Sequence, residues 1–202
     1  MQGTAIDSAE IFGYVASDFY PIDLLLGTIP SMHHRRITYL LVVAGATLWC
    51  AGILAAPLCT SMGGTPARVG TLIHQFYQQI CHQLPERSYF LFDFPFGVCS
   101  RCSAIYFAFL VGTLLYPLVR RLENTALPPR WVMIAAVLPM LVDATWIGPS
   151  LYEVTLFTRG LTGACCGIVL PFILLPVVLQ AIDELVAPSV RSHQQKGLSD
   201  AQ

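Results

Sequence analysis

Four residues near the middle of the chain have types and spacing suited to metal or thiol chemistry: Cys81, His82, Cys99 and Cys102. Their arrangement, Cys81-His82-x16-Cys99-x2-Cys102, offers three soft sulfur ligands and one imidazole. Two cysteines separated by two residues can present both sulfurs to one tetrahedral ion, and zinc favours such mixed sulfur and nitrogen sets. Adjacent Cys81 and His82 point to different faces of a helix, so both reach one ion only where a helix ends, and Pro85 supplies an end. His74, two turns before Cys81 on roughly the same stripe, is a substitute imidazole. Redox chemistry is the alternative. Cys99 and Cys102 form a CxxC pair able to run thiol–disulfide exchange, with Arg101 favouring the thiolate and Cys81 or Cys59 as resolving partner. An exported loop meets an oxidising compartment, which adds disulfides to the choices.

Charged residues cluster around the same stretch. Arg87 and Arg101, with Glu86, can clamp the loop by bonding carbonyls or Asp93, or can bind an anionic headgroup or substrate. Asp143 stands within an otherwise apolar window. A charge there costs about 2.5–3.5 kcal/mol on insertion scales, so it faces the interior and has a partner. Topology nominates Arg159 as that partner and makes the pair structural in preference to a proton or ion relay.

The elements that position these residues follow from the placement of charge. The chain has 202 residues with 55% hydrophobic, 11% charged and a mean hydropathy of +0.63. Soluble domains carry about a quarter charged residues, so 11 Lys+Arg and 12 Asp+Glu are too few to coat a soluble globule of this length. The net charge of −1 excludes a nucleic-acid binder, and the abundance of aliphatic and aromatic residues excludes disorder. Four windows, 37–59, 102–119, 131–147 and 160–182, contain Asp143 as their one formal charge. Each is near the roughly 20 residues a spanning helix needs, and backbone groups in hydrocarbon must bond within their own segment. The sequence predicts an all-α polytopic membrane protein with four transmembrane helices. Seven Arg/Lys flank one side of these windows and four the other, so the positive-inside rule puts both termini in the cytoplasm of a multi-pass plasma-membrane protein.

The predicted organisation is a cytoplasmic N-terminal arm over 1–36, a single membrane domain over 37–182 and a cytoplasmic polar tail over 183–202. The arm lacks the pattern of a cleavable secretion signal, and its stretch 11–30 suits the membrane surface or, equally, an ordered or frayed arm. The outer loop 60–101 carries the chemistry. From Arg68, apolar Val69, Leu72, Ile73, Phe76, Ile80 and Leu84 recur at helical spacing opposite Gln75, Gln78, Gln79 and His82, which predicts an extracytoplasmic amphipathic helix stopped by Pro85. Phenylalanines at 90, 92, 94 and 96 alternate as in an extended interfacial segment. Cys50, Cys165 and Cys166 fall inside spans as packing residues. Gly160, Gly163 and Gly167 permit close helix approach, and Pro171 and Pro176 kink the last span. Phosphate-loop, GxSxG, HExxH and CxxCH patterns are absent.

Cys81-His82-Gln83-Leu84-Pro85-Glu86-Arg87-Ser88, then Cys99-Ser100-Arg101-Cys102 and Ile105-Tyr106, resemble the DUF2085 family of small membrane proteins, whose pattern runs Cys-His-Gln-x-Pro-x-Arg-Ser and Cys-x-Arg-Cys-Thr-Gly-Ile-Tyr. The resemblance extends through Pro139, Asp143, Arg159 and Gly163, over roughly residues 70–176. Ser103-Ala104 stands where Thr-Gly is usual, and Ala144 follows Asp143 where Gly is usual. The resemblance implies membership and no particular activity.

Together these observations predict an integral membrane protein with a metal-stabilised, zinc-type site of Cys81, His82, Cys99 and Cys102 at the outer face. Arg87, Arg101, Asp143 and Arg159 are its supporting polar residues. The expected role is an accessory or assembly subunit rather than an enzyme, partnered by the lipid bilayer and by other membrane subunits or a homo-oligomer. A membrane thiol oxidoreductase using Cys99 and Cys102 is the alternative, and an ion or metal transporter with Asp143 on its path is the third.

Overall fold

The computed structural model describes residues 29–124, 126–145 and 153–199, with side chains described between residues 33 and 184 of these. The order of elements is α1 (Ile29–Ser61), α2 (Gly64–Gln78), a 3-10 turn (Pro85–Arg87), β1 (Phe90–Leu91), β2 (Phe94–Pro95), α3 (Ser100–Val119), α4 (Arg130–Ala144) and α5 (Leu156–Ser199). The stretch read as interfacial lies, up to residue 28, outside the described residues.

Among the described residues, three helices are long and apolar enough to cross a membrane: His33–Ser61, Ser100–Val119 and Leu156–Glu184. Leu40, Leu41, Leu48, Leu118 and Leu174 on them stay exposed, as side chains solvated by lipid should. Where a fourth spanning helix was expected, α4 has 15 residues. That is about 22 Å at 1.5 Å per residue, against a hydrocarbon core of about 30 Å. The end of that expected window, Trp146 and Ile147, lies outside the described residues. Elsewhere the helices outrun their charge-free windows. α1 begins within the expected arm, and α5 carries residues 183–199 of the expected tail. Absence of charge marks hydrocarbon, whereas a helix satisfies its own backbone on either side of the boundary.

Hydrogen bonds and close glycine contacts set the helix directions. Tyr39 donates to the Thr113 carbonyl at 3.1 Å and Gly97 N–H to the Ile53 carbonyl at 3.2 Å, so α1 and α3 are antiparallel. α3 and α5 run parallel. A Cβ on Gly163 would stand 2.6 Å from the Arg101 carbonyl oxygen, and one on Gly112 would stand 2.7 Å from that of Ile168. Gly163 and Gly167 of the expected small-residue stripe therefore face α3, while Gly160 lies against the Tyr89 ring. At one end of the bundle Arg35 pairs with Asp183 at 2.5 Å and donates to the Leu122 carbonyl at 3.1 Å. At the other, Arg101 pairs with Asp143.

Two prolines contribute through the carbonyls they release. Pro57 has no N–H for Ile53, and Pro117 has none for Thr113, so each leaves an acceptor inside a helix. These are the two carbonyls that Gly97 and Tyr39 bond, which converts helix defects into ties between helices. An apolar cavity of about 370 Å³, lined by Trp49, Cys50, Tyr106 and Leu170 among others, lies between α1, α3 and α5.

Candidate metal centre

α2 folds back onto α1. Gly70 fits against Ala56 and Thr60, and the Tyr77 ring lies over Gly52 with its hydroxyl on the Trp49 carbonyl at 2.7 Å. The expected apolar stripe divides in two. Ile73 joins Tyr77 in packing against the bundle, while Val69, Leu72, Phe76 and Ile80 remain exposed on a face suited to lipid. The helix stops at Gln78, well before Pro85. Gln83 adopts a positive φ of 50°, and its side-chain amide donates to the His74 carbonyl at 2.8 Å and to the Gly97 carbonyl at 2.5 Å. One side chain thus closes the end of α2 and joins it to the strand leading into the CxxC pair. Sequence reasoning gave Gln83 no role. Its position between Cys81-His82 and Pro85, where a turn was required, was the available signal.

Past the 3-10 turn, the aromatic segment forms a two-residue hairpin, with Phe90 opposite Pro95 and Leu91 opposite Phe94. Phe92 and Asp93 take positive φ at its tip. The extended reading holds for the strands and fails at the tip, where the chain reverses so that Phe96 N–H bonds the Tyr89 carbonyl at 2.8 Å.

Cys81, just after α2, and Cys99 and Cys102, in the first turn of α3, bring their three sulfurs within 4.8 Å of one another. Cys81 is buried and the other two are half-buried. Cys99 caps α3, and its N–H donates to the Cys81 sulfur at 3.2 Å. The Cys99 thiol is pulled down to about 5, chiefly by a hydrogen bond from Cys102, and further by Cys81 and the backbone N–H groups of Cys102 and Arg101, against the opposing effect of burial. Free N–H groups at a helix start favour negative charge there. The donor set fits a metal ion. Zinc–sulfur bonds of about 2.3 Å place tetrahedral sulfurs about 3.8 Å apart, within the span the three cysteines occupy.

His82 is exposed and stands outside this trio. His74 is half-buried, and burial pushes its imidazole pKa down. Cys59 is half-buried near the end of α1 and likewise outside the trio. Asp143 is buried, as expected, and among the described residues it pairs with Arg101 rather than the nominated Arg159. Arg101 donates to the Asp143 carboxylate and, at 3.3 Å, to its carbonyl; Thr162 lies 3.4 Å from the same carboxylate. The reason is topological: parallel α3 and α5 put Arg101 beside Gly163, facing the end of α4. Arg159, one turn before Gly163, remains near enough to feel the charges of Arg101, Arg87, Asp143 and Cys99. Arg87 is exposed as the last residue of the 3-10 turn.

A helical bundle with membrane-length apolar helices and a cysteine cluster at one end defines a class of small helical membrane proteins. The chain belongs to the family described as "Predicted membrane protein (DUF2085)", which matches residues 81–173. It is 33% identical over 147 residues to an uncharacterized protein of Methanocaldococcus jannaschii, covering 71% of this chain and 94% of that one. No solved structure matches the chain at a significant level.

Proposed function

We propose that Cys81, Cys99 and Cys102 hold a zinc ion at the outer membrane face of a four-pass protein that serves as an accessory or assembly subunit of a membrane complex. The observation that carries this reading is the meeting of three sulfurs, from two separate segments, within 4.8 Å. The ion's work is structural: it ties the end of α2 to the start of α3, alongside the Gln83 clip. His82 follows Cys81 directly and is the protein's own choice for the fourth position, which water fills otherwise.

Four passes are supported by the parallel course of α3 and α5, since the chain between them must return across the thickness of the bundle. α4 lies on that return. The excess of Arg and Lys beside the Arg35–Asp183 end favours a cytoplasmic location for that end, which leaves the cysteines outside.

Elemental analysis of protein purified without chelators should find about one zinc per chain, lost in Cys99→Ser. Metal-free protein whose thiols titrate reversibly against a redox buffer would reject this reading. It would favour the second one, thiol–disulfide exchange, which the lowered Cys99 thiol supports. There the Cys99 thiolate attacks a substrate disulfide and releases one substrate thiolate. Cys102 then displaces the other, leaving a Cys99–Cys102 disulfide and a reduced substrate.

A further inference from the structure

Arg87, Arg101 and Arg159 reach the same end of the bundle from three different segments. Arg101 is oriented by its bonds to Asp143. Gly163 brings α5 against the Arg101 backbone and with it Arg159, one turn earlier. Arg87 precedes Tyr89 by two residues, and the Tyr89 hydroxyl donates to the Leu156 carbonyl at 3.2 Å, in the first turn of α5. Asp143 is the carboxylate among the charges acting on Arg159, and Cys99 the thiol. Three guanidinium groups thus gather around one buried carboxylate at this end of the bundle.

These guanidinium groups have spare donors. Among the described residues, neither the Arg87 nor the Arg159 guanidinium makes a hydrogen bond or ion pair. Arg101 Nε is buried without a partner. A half-buried guanidinium in the first turn of a spanning helix sits at headgroup level, where leaving its donors unused is costly. The starts of α3 and α5 face the same end because the helices are parallel, so both add positive potential. Planar guanidinium forks match phosphate oxygens in pairs.

We infer that Arg87 and Arg159, with Arg101 behind them, form a binding site for a phosphate-bearing anion beside the cysteine cluster. The chemistry is shared by the headgroup of an anionic phospholipid and by a soluble phosphate, and it does not depend on what the cysteines bind.

The full chain in nanodiscs of phosphatidylcholine, with or without phosphatidylglycerol, distinguishes these sources. Native mass spectrometry should show retained phosphatidylglycerol, or calorimetry in phosphatidylcholine discs should show binding of inorganic phosphate. Whichever binds should weaken by about tenfold in Arg159→Gln and again in Arg87→Gln, the loss expected of one charge-assisted contact each. Arg159→Lys, which keeps the charge without the fork, should fall between. Arg87 is exposed, so Arg87→Gln tests the site should Arg159→Gln disturb folding. Retention of phosphatidylglycerol that is lost in the variants identifies a lipid site, and loss of phosphate affinity identifies a soluble ligand. Binding of neither probe, or binding indifferent to both substitutions, overturns the inference. Unchanged zinc content in the same variants separates that failure from failure at the cysteines.

Discussion

The Arg101 guanidinium donates to the Asp143 carboxylate and so joins the first turn of α3 to the last turn of α4. The Asp143 side chain is fully buried and that of Arg101 is 19% exposed. Removing the acid strands a largely desolvated cation. Asp143→Ala should therefore cost about 3–5 kcal/mol of stability. The pair at the opposite end, Arg35–Asp183, is more open to solvent, with side chains 19% and 30% exposed. Asp183→Ala should cost about 1 kcal/mol or less. Denaturant unfolding in one detergent, with both variants compared to the parent, reads the difference directly. Equal losses would mean that the Asp143 pair is not desolvated.

Ligand roles at the cysteines can be ranked by substitution. Cys81→Ser, Cys99→Ser and Cys102→Ser each remove one of three converging sulfurs and should each abolish stoichiometric zinc. His82 is exposed and outside the trio. His82→Ala should lower zinc affinity by about tenfold if the imidazole swings in as fourth ligand, and water then takes its place. Competition with a chromogenic chelator measures both effects. Full zinc retention by any of the three serine variants would remove that cysteine from the site.

The sequence revealed chemistry and apolar length more readily than partnership. Cys99 and Cys102 were legible because CxxC spacing places two sulfurs on one side whatever the rest of the fold does, and Cys81 because it adds a third soft ligand in the same outer loop. The windows around α1, α3 and α5 were legible because hydrocarbon excludes charge from any helix crossing it. Asp143 was legible as buried for the same reason. Its partner was not, because choosing Arg101 over Arg159 requires knowing that α3 and α5 are parallel and in contact at Gly163. The length of α4 was not legible, because the charge-free window did not show where its helix stops, at Ala144. The uses of Pro57 and Pro117 were hidden as well. A freed carbonyl becomes meaningful only when Gly97 or Tyr39 arrives from elsewhere in the chain.

The pH response of Cys99 follows from its hydrogen bonds. With its thiol held at about 5, chiefly by Cys102, it is a thiolate at neutral pH in metal-free protein. An ordinary thiol has a pKa near 8.5, so the folded value is the depressed one. The contribution to stability is fully present above the unfolded value and is lost as pH falls through about 5. Alkylation of chelator-treated protein by iodoacetamide should stay fast through neutral pH and decline only as pH drops through that value. Cys102→Ala removes the main donor and should move the midpoint upward, toward an ordinary thiol. Mass spectrometry of the Cys99 peptide gives both curves. A midpoint near that of free cysteine in the parent protein would refute the hydrogen-bonded thiolate.

The route of the chain depends on how α3 and α5 pack at Gly163. A Cβ at Gly163 would stand 2.6 Å from the Arg101 carbonyl oxygen, a backbone atom that cannot rotate away. Gly163→Val should force α3 and α5 apart and cost about 1–3 kcal/mol. Gly45 has nothing within 4 Å of the same position, so Gly45→Ala should change stability by no more than about 0.5 kcal/mol. Separation at Gly163 also draws Arg101 from Asp143. The double variant Gly163→Val with Asp143→Ala should then lose less than the two single losses combined, because both act on one contact. Denaturant unfolding of the four variants tests this. If Gly163→Val is as mild as Gly45→Ala, α3 and α5 do not touch there, and their parallel course no longer requires the chain to return through α4.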